Sequence, residues 1–268
     1  MKVFKFGGAS LRDAEAVRNV REILNRFPGE RICVVISAMG KTTNALEQVA
    51  DAWINQDVGV FSLLSGLENF HLEISSELGG AGSLAVKSII RDIRLLLQSA
   101  PPSLYDAAYD QIVSNGELLS TAIVSEFLSR EGVPNQLLDA RKLIITSEAF
   151  RNARISWDET TRRILAAFDE ANPEYEAPLY ITQGFIGCSS SGHPVTLGRE
   201  GSDFSAAIFA YALDAGEMII WKDVPGVLNA DPRYFDDTVL LDRISYRDAI
   251  ELAYFGARIL HPQTVFPA

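Results

Sequence analysis

The sequence is poor in the side chains that carry most covalent and metal chemistry. Its 268 residues include two cysteines and three histidines. Cys33 lies in the apolar run RICVVIS and Cys188 in the serine-rich GCSSSG, with no CxxC pair, which excludes a disulfide scaffold and predicts reduced thiols. His71, His193 and His261 have no spacing suited to a metal site. No apolar run approaches the roughly 18 residues of a membrane span, and the chain opens directly on the strand-like KVFKF, so a cytoplasmic protein is expected. Positive charge is also scarce. Lys and Arg total 24 against 35 Asp and Glu, a formal net charge of −11, which argues against nucleic acid and anionic membranes as partners. If an anion binds, its cations must be gathered locally.

At 268 residues the chain is long enough for one large or two small domains, and 47% hydrophobic residues supply a substantial core. Short apolar runs rich in β-branched residues alternate with segments of helical period. KVFKF precedes 12–25, RICVVIS precedes 42–55, PLYITQGFI precedes 202–214, and EMIIW follows. This alternation predicts an α/β protein with a mostly parallel sheet, and RICVVIS, apolar on both faces, reads as a central strand. Residues 57–132 break the pattern with a long helical stretch interrupted by LGGAGS and Pro101-Pro102, expected to pack at one end or edge of the sheet, as a lobe over a cleft. FIGCSSSGHPVTLG predicts a β-hairpin.

Candidate chemistry lies at turns. In VVISAMGKTTNAL, Gly40-Lys41-Thr42 resembles the end of a phosphate-binding P-loop, but the first glycine of that motif falls on Val35. KFGGAS sets two glycines and Lys5 between a strand and a helix. It reads either as a tight turn or as an anion-binding loop at a helix N-terminus. TLGREGSD is a second such turn, with Arg199 and Asp203, and two of them together suit a site that holds charged oxygens on both sides. Ser202 or Asp203 is the candidate N-cap there; Asp203 could otherwise bind a metal or orient Lys5. Glu117 in SNGELLST fits ordinary first-turn electrostatics. WKDVPGVLNADPR carries two turn signals and reads as a surface loop able to fold over a ligand.

Taken in order, these pieces resemble the aspartate kinases of the amino-acid kinase family, whose pattern runs K-F-G-G-T-S, S-A-x-x-x-x-T-N, G-E-x-x-S, I-T-Q-G-F-I-G, T-L-G-R-G-G-S-D, W-T-D-V-P-G, D-P-R and F-G-A-[KR]-x-L-H-P. The match runs from Lys5 to Pro262. The resemblance implies a three-layer αβα sandwich around a mostly parallel twisted sheet, with a helical N-terminal lobe. The substrate part would be about 1–175 and the nucleotide part about 176–268. It also implies ATP-dependent phosphorylation of the β-carboxylate of L-aspartate, the first step of lysine, threonine and methionine biosynthesis, with Mg²⁺ carried mainly on the ATP phosphates. The alternatives are another acidic acceptor on the same fold, or a nucleotide- or amino-acid-binding protein without turnover.

Carried over by position, the resemblance makes Lys5 and Asp203 catalytic. It makes Ser37, Thr43, Glu117, Phe185, Arg199 and Ser202 substrate contacts. Lys5, Gly7, Gly8, Lys222, Asp223, Leu228, Arg233, Arg258 and Ile259 would meet the nucleotide. The chain departs from the pattern at Ala9, Glu200, Lys222, Leu228 and Arg258, where Thr, Gly, Thr, Tyr and Lys are usual. It ends at HPQTVFPA, short of the further strand and the ACT regulatory domains of the family. A homodimer formed through those domains is expected of the full-length protein.

Overall fold

Strand β1 (Lys2–Phe6) is buried on both faces, because Phe4 and Phe6 point to one side and Val3 to the other, each with no exposure. The structure, a computed structural model, describes the chain except residues 81, 170–178, 199, 225, 255–263 and 265–268. Beside β1 run β2 (Ile32–Ile36) and, on the far side of β2, β5 (Leu179–Gln183) and β3 (Gln136–Leu138). On the other side of β1 lies β8 (Glu217–Trp221), so the sheet order is β3-β5-β2-β1-β8 with all four pairings parallel. Every residue of β2 is buried, as its unbroken apolar run predicts.

Helices cover both faces. Phe4, Phe6, Val34, Ile36 and Ile181 share one core with α1 (Ala14–Leu24), α2 (Thr42–Ile54), α3 (Val60–Glu77), α4 (Leu84–Leu96), α5 (Tyr105–Val113) and α6 (Asn115–Arg130). Val3, Cys33, Val35 and Tyr180 face a second core with the short α7 (Ala140–Leu143), α8 (Trp157–Ala167) and α9 (Gly201–Ala212). The three-layer expectation therefore holds, and 57–132 is the predicted helical stretch, but its four helices stack over one face of the sheet rather than at an end or edge, because their apolar residues share the core of Phe4, Val34 and Ile181. Two of its breaks fall at the glycine-rich and Pro-Pro segments, and the third at Ser114 between α5 and α6. Local chemistry starts two of the helices: Asp13 accepts the Ala16 N–H at 2.8 Å ahead of α1, and Ser83 accepts that of Val86 at 3.2 Å ahead of α4.

The predicted hairpin is β6 (Ile186–Ser189) against β7 (Pro194–Thr196), antiparallel, with β4 (Ile145–Thr146) parallel to β6 in a separate three-stranded sheet. Beyond β8, WKDVPGVLNADPR is the expected exposed loop. It doubles back so that Leu228 pairs with Leu240 ahead of α10 (Tyr246–Tyr254). Among the described residues, no helix is long and apolar enough to cross a membrane.

His71 on α3 is wholly buried, its Nδ1 donating to the Leu67 carbonyl at 2.8 Å and its Nε2 accepting from the Thr42 hydroxyl at 3.2 Å. Burial pushes its pKa down to about 4 from 6.5. The unfolded chain therefore takes up a proton below pH 6.5 that the folded protein refuses until about pH 4, and stability falls with pH across that window. Chemical denaturation should show a loss of about 1–3 kcal/mol between those limits that His71→Gln lacks.

Candidate functional site

Parallel pairing brings four strand ends level. Phe6, the last residue of β1, is opposite Ile36 of β2 and Trp221 of β8, and Ile36 is opposite Gln183 of β5. The next residues in each strand, Gly7-Gly8, Ser37-Ala38, Gly184-Phe185 and Lys222, thus leave the sheet at one edge. Carboxyl ends of parallel strands are where such sheets bind ligands. A cleft of about 740 Å³ opens there, lined among others by Lys5, Gly8, Ser37, Phe185 and Lys222.

The period of two along β1 puts Lys5 on the same face as Val3, toward α9. Its ammonium lies 2.6 Å from Asp203 Oδ1, and both side chains are almost fully buried. The contact is an ion pair without the alignment of a hydrogen bond, and Lys222 Nζ approaches Oδ2 at 3.7 Å. Asp203 is not the cap expected of it: α9 starts at Gly201 after Glu200, and Asp203 spends its carboxylate on Lys5. Ser202 is likewise inside the helix, not its cap, and lines the cleft.

The β1 turn needs its second glycine. A Cβ on Gly8 would stand 2.7 Å from the Ala38 carbonyl, and Gly8's own carbonyl accepts the Gly40 N–H at 3.0 Å. The loop after β1 and the loop after β2 therefore touch through backbone alone. Across the cleft a Cβ on Gly201 would meet the Phe185 ring at 2.7 Å, so the phenyl packs against the start of α9. Phe185 itself takes a left-handed backbone, φ +67°, and its N–H donates to the Ser205 hydroxyl at 2.9 Å.

Glu117, in the first turn of α6, is 2% exposed and lines the cleft. Oε1 accepts the Ala38 N–H at 3.2 Å, while Oε2 has no hydrogen-bond partner among the described residues. Burial raises its pKa to about 8 from 4.5. A group in this state gains strongly from any cation that enters, since a partner removes the cost of the buried charge. First-turn electrostatics, the reading that sequence alone favours, does not explain a carboxylate this deeply buried.

Of the positions proposed from sequence, the cleft brings together Lys5, Gly8, Ser37, Thr43, Glu117, Phe185, Ser202, Asp203 and Lys222. Gly7 adjoins it: a Cβ there would come within 3.3 Å of Lys5 Nζ. Asp223 and Arg233 sit exposed on the loop after β8 and Leu228 half-buried on it, away from the cleft walls, with Arg233 bound to Asp231 at 2.6 Å. Arg199, Arg258 and Ile259 lie outside the described residues. Lys41 is exposed and off the cleft, so the P-loop resemblance of its stretch is incidental.

Sequence reading missed one wall. Glu47 stands one helical turn beyond Thr43 on α2 and accepts the Tyr109 hydroxyl at 2.8 Å, and Arg151 lies over the Tyr109 ring at 4.1 Å. Behind them Asp110, fully buried, accepts the Thr196 hydroxyl at 2.6 Å and the Arg151 N–H at 2.9 Å, and burial raises its pKa. The four-residue spacing of Thr43 and Glu47 was a signal that both face one way; nothing in the sequence marks Tyr109 or Arg151.

Comparison with known proteins agrees with this fold. The model of the amino acid kinase family matches residues 1–268. Lysine-sensitive aspartokinase 3 of Escherichia coli (strain K12) is 35% identical over 268 residues, covering 99% of this chain and 58% of that protein. A bifunctional aspartokinase/homoserine dehydrogenase of Zea mays is 32% identical over 99% of this chain and 29% of its own length. The crystal structure of E. coli aspartokinase III in complex with aspartate and ADP superposes with a TM-score of 0.89 at 34% identity, covering all of this chain and 59% of that one. This chain thus spans about three fifths of the E. coli enzyme and less than a third of the maize one.

Glu200, beside the cleft, has φ +55°, a conformation that costs a non-glycine residue about 1–2 kcal/mol. Glu200→Gly should raise stability by about 0.5–1 kcal/mol after the added chain entropy of glycine, read as a rise in Tm of about 1–4 °C. For Glu117 the folded state keeps a proton that the unfolded chain loses, so the ligand-free protein should become less stable as pH rises from 4.5 to about 8. Denaturation across that range should show Glu117→Gln gaining on the parent, by about 1–3 kcal/mol at the upper end.

Proposed function

The chain belongs to the amino acid kinase family, and from that premise we propose that it phosphorylates the β-carboxylate of L-aspartate with ATP, giving 4-phospho-L-aspartate and ADP. The observation that carries the reading is Glu117, a buried carboxylate with one unbonded oxygen, in the same cleft as a lysine-bearing glycine turn. A carboxylate waiting for a cation suits the α-ammonium of an amino acid; Lys5, Lys222 and the backbone around Gly7 and Gly8 suit phosphate. A relative whose crystal structure holds aspartate and ADP supports the pairing.

The chemistry asks little of the protein beyond placement. The acceptor carboxylate is ionised at neutral pH, with a reference pKa of about 3.9, so no general base is needed. An oxygen of that carboxylate would attack the γ-phosphorus as the bond to the ADP oxygen breaks, and no proton moves. Repulsion between carboxylate and triphosphate is the obstacle, and Lys5, fixed by Asp203, would screen it. Ser37, Thr43, Phe185 and Ser202 would line the amino acid, with Arg199 pairing one of its carboxylates. Among the described residues there is no group of three or more acidic, histidine or cysteine side chains able to hold a metal, and Asp203 is engaged by Lys5. These residues fit a Mg²⁺ that arrives on the triphosphate, where it would supply charge neutralisation.

The same proposal places the amino acid mainly with the part before about residue 175 and the nucleotide with the part after it. Lys5 and Gly8 from the first part and Phe185 and Lys222 from the second line one cleft, so each ligand would draw residues from both parts. A cytoplasmic location, and a homodimer for a longer chain bearing regulatory domains, belong to the same reading.

ADP release, followed by a coupled assay with aspartate, glutamate or no acceptor, tests it. Aspartate-dependent turnover should fall at least a hundredfold in Lys5→Ala and persist in Lys41→Ala, and Glu117→Gln should raise the KM for aspartate at least tenfold. ATP binding without aspartate-dependent release of ADP would overturn the reading.

A further inference from the structure

One cation of the cleft has no part in the mechanism above. Arg151 lies on the segment between β4 and α8 with φ +60°, a left-handed backbone that disfavours any residue but glycine. Three elements hold it there. Its N–H donates to Asp110 of α5, Asp110 is held by Thr196 at the end of β7, and the Arg151 carbonyl lies 3.1 Å from where a Cβ on Gly198 would stand. The backbone of Arg151 is thus fixed against Gly198, on the side of the cleft where α2 presents Thr43 and Glu47.

The side chain is equally constrained. Its guanidinium stacks 4.1 Å from the centre of the Tyr109 ring, and Nη1 meets Asp106 at 3.2 Å. Tyr109 is in turn held by Glu47 at 2.8 Å. Among the described residues, Nε and Nη2 have no hydrogen-bond partner, and the side chain is 44% exposed where it lines the cleft. An arginine offers five donors in a planar fork matched to a carboxylate, and stacking on an aromatic ring orients that fork in advance. Asp106 uses one arm of it.

Resting on the function proposed above, the charge balance of the acceptor says what the other arm is for. Aspartate brings one ammonium and two carboxylates. Glu117 answers the ammonium, and Lys5 with the nucleotide end answers the carboxylate that reacts. We propose that Arg151 binds the carboxylate that is not phosphorylated, and that the wall formed by Glu47, Tyr109 and Arg151 selects for an acceptor carrying it. The contact of the Arg151 carbonyl with Gly198 ties this wall to the glycine turn ahead of α9. The strained backbone is kept because it points a long cationic side chain along the cleft wall.

The left-handed backbone supplies a clean variant, since glycine suits that conformation and Arg151→Gly removes the guanidinium without asking the loop to refold. Steady-state kinetics should show its KM for aspartate raised about tenfold to a hundredfold, the range of one charged hydrogen bond, with the KM for ATP within twofold of the parent and Tm not lowered. Arg151→Lys should recover part of the loss, because a point charge replaces the fork. Aspartic acid α-amide keeps the reacting carboxylate and lacks the other, so its KM should be the same in parent and Arg151→Gly. Calorimetric titration with aspartate gives the same comparison without turnover. If the parent neither binds nor phosphorylates aspartate, the function proposed above fails and this inference with it. If the parent does, and Arg151→Gly leaves the KM for aspartate unchanged or raises those for ATP and aspartate alike, only the role of Arg151 is overturned.

Discussion

The parallel register of β1 with its two neighbours is the constraint on which the rest depends. Because Phe6, Ile36, Trp221 and, through Ile36, Gln183 stand level, four loops start from one line at the edge of the sheet. A slip of one residue in β1 would turn Lys5 away from α9 and put Phe4 and Phe6 into the wrong core. The aromatic side chains of β1 thus protect the placement of Lys5. Hydrophobic patterning and site geometry are here the same fact seen on two faces of one strand.

The cleft holds its charges at some cost. Lys5 and Asp203 are buried against each other, and a pair in that position contributes less to stability than apolar residues of the same size often would. Glu117 is more expensive still, since one oxygen lacks a partner and burial favours its protonated form. Such groups are poor choices for a fold and good ones for a ligand that completes them. The strained backbones at Phe185, Glu200 and Arg151 cluster in the same cleft, as strain does where geometry is held for a purpose.

Much of this was legible in the sequence. Strand and helix alternation gave the layered architecture, and the two glycine-bearing turns marked both sides of the cleft before their proximity was known. The unread parts share a cause. Asp203 is drawn from capping α9 by Lys5, a contact across 198 positions that no local preference encodes; capping chemistry pointed to Ser202 or Asp203, and both lie inside the helix. Glu117 looked like first-turn electrostatics because burial is not written in a helix of its type. Tyr109 and Arg151 come from a helix and a loop whose meeting is fixed by Asp110, a buried carboxylate binding two distant segments, so neither carried a signal of its own.

The contact between Gly8 and Gly40 joins the loop proposed for phosphate to the loop proposed for the amino acid by a backbone hydrogen bond, with no side chain between them to take up slack. A shift of either loop is passed on to the other as displacement. Two ligands seated on loops linked in this way are energetically coupled: the first to arrive pays for ordering both segments, and the second meets a surface already set. Linkage requires that coupling to be the same in either order of arrival.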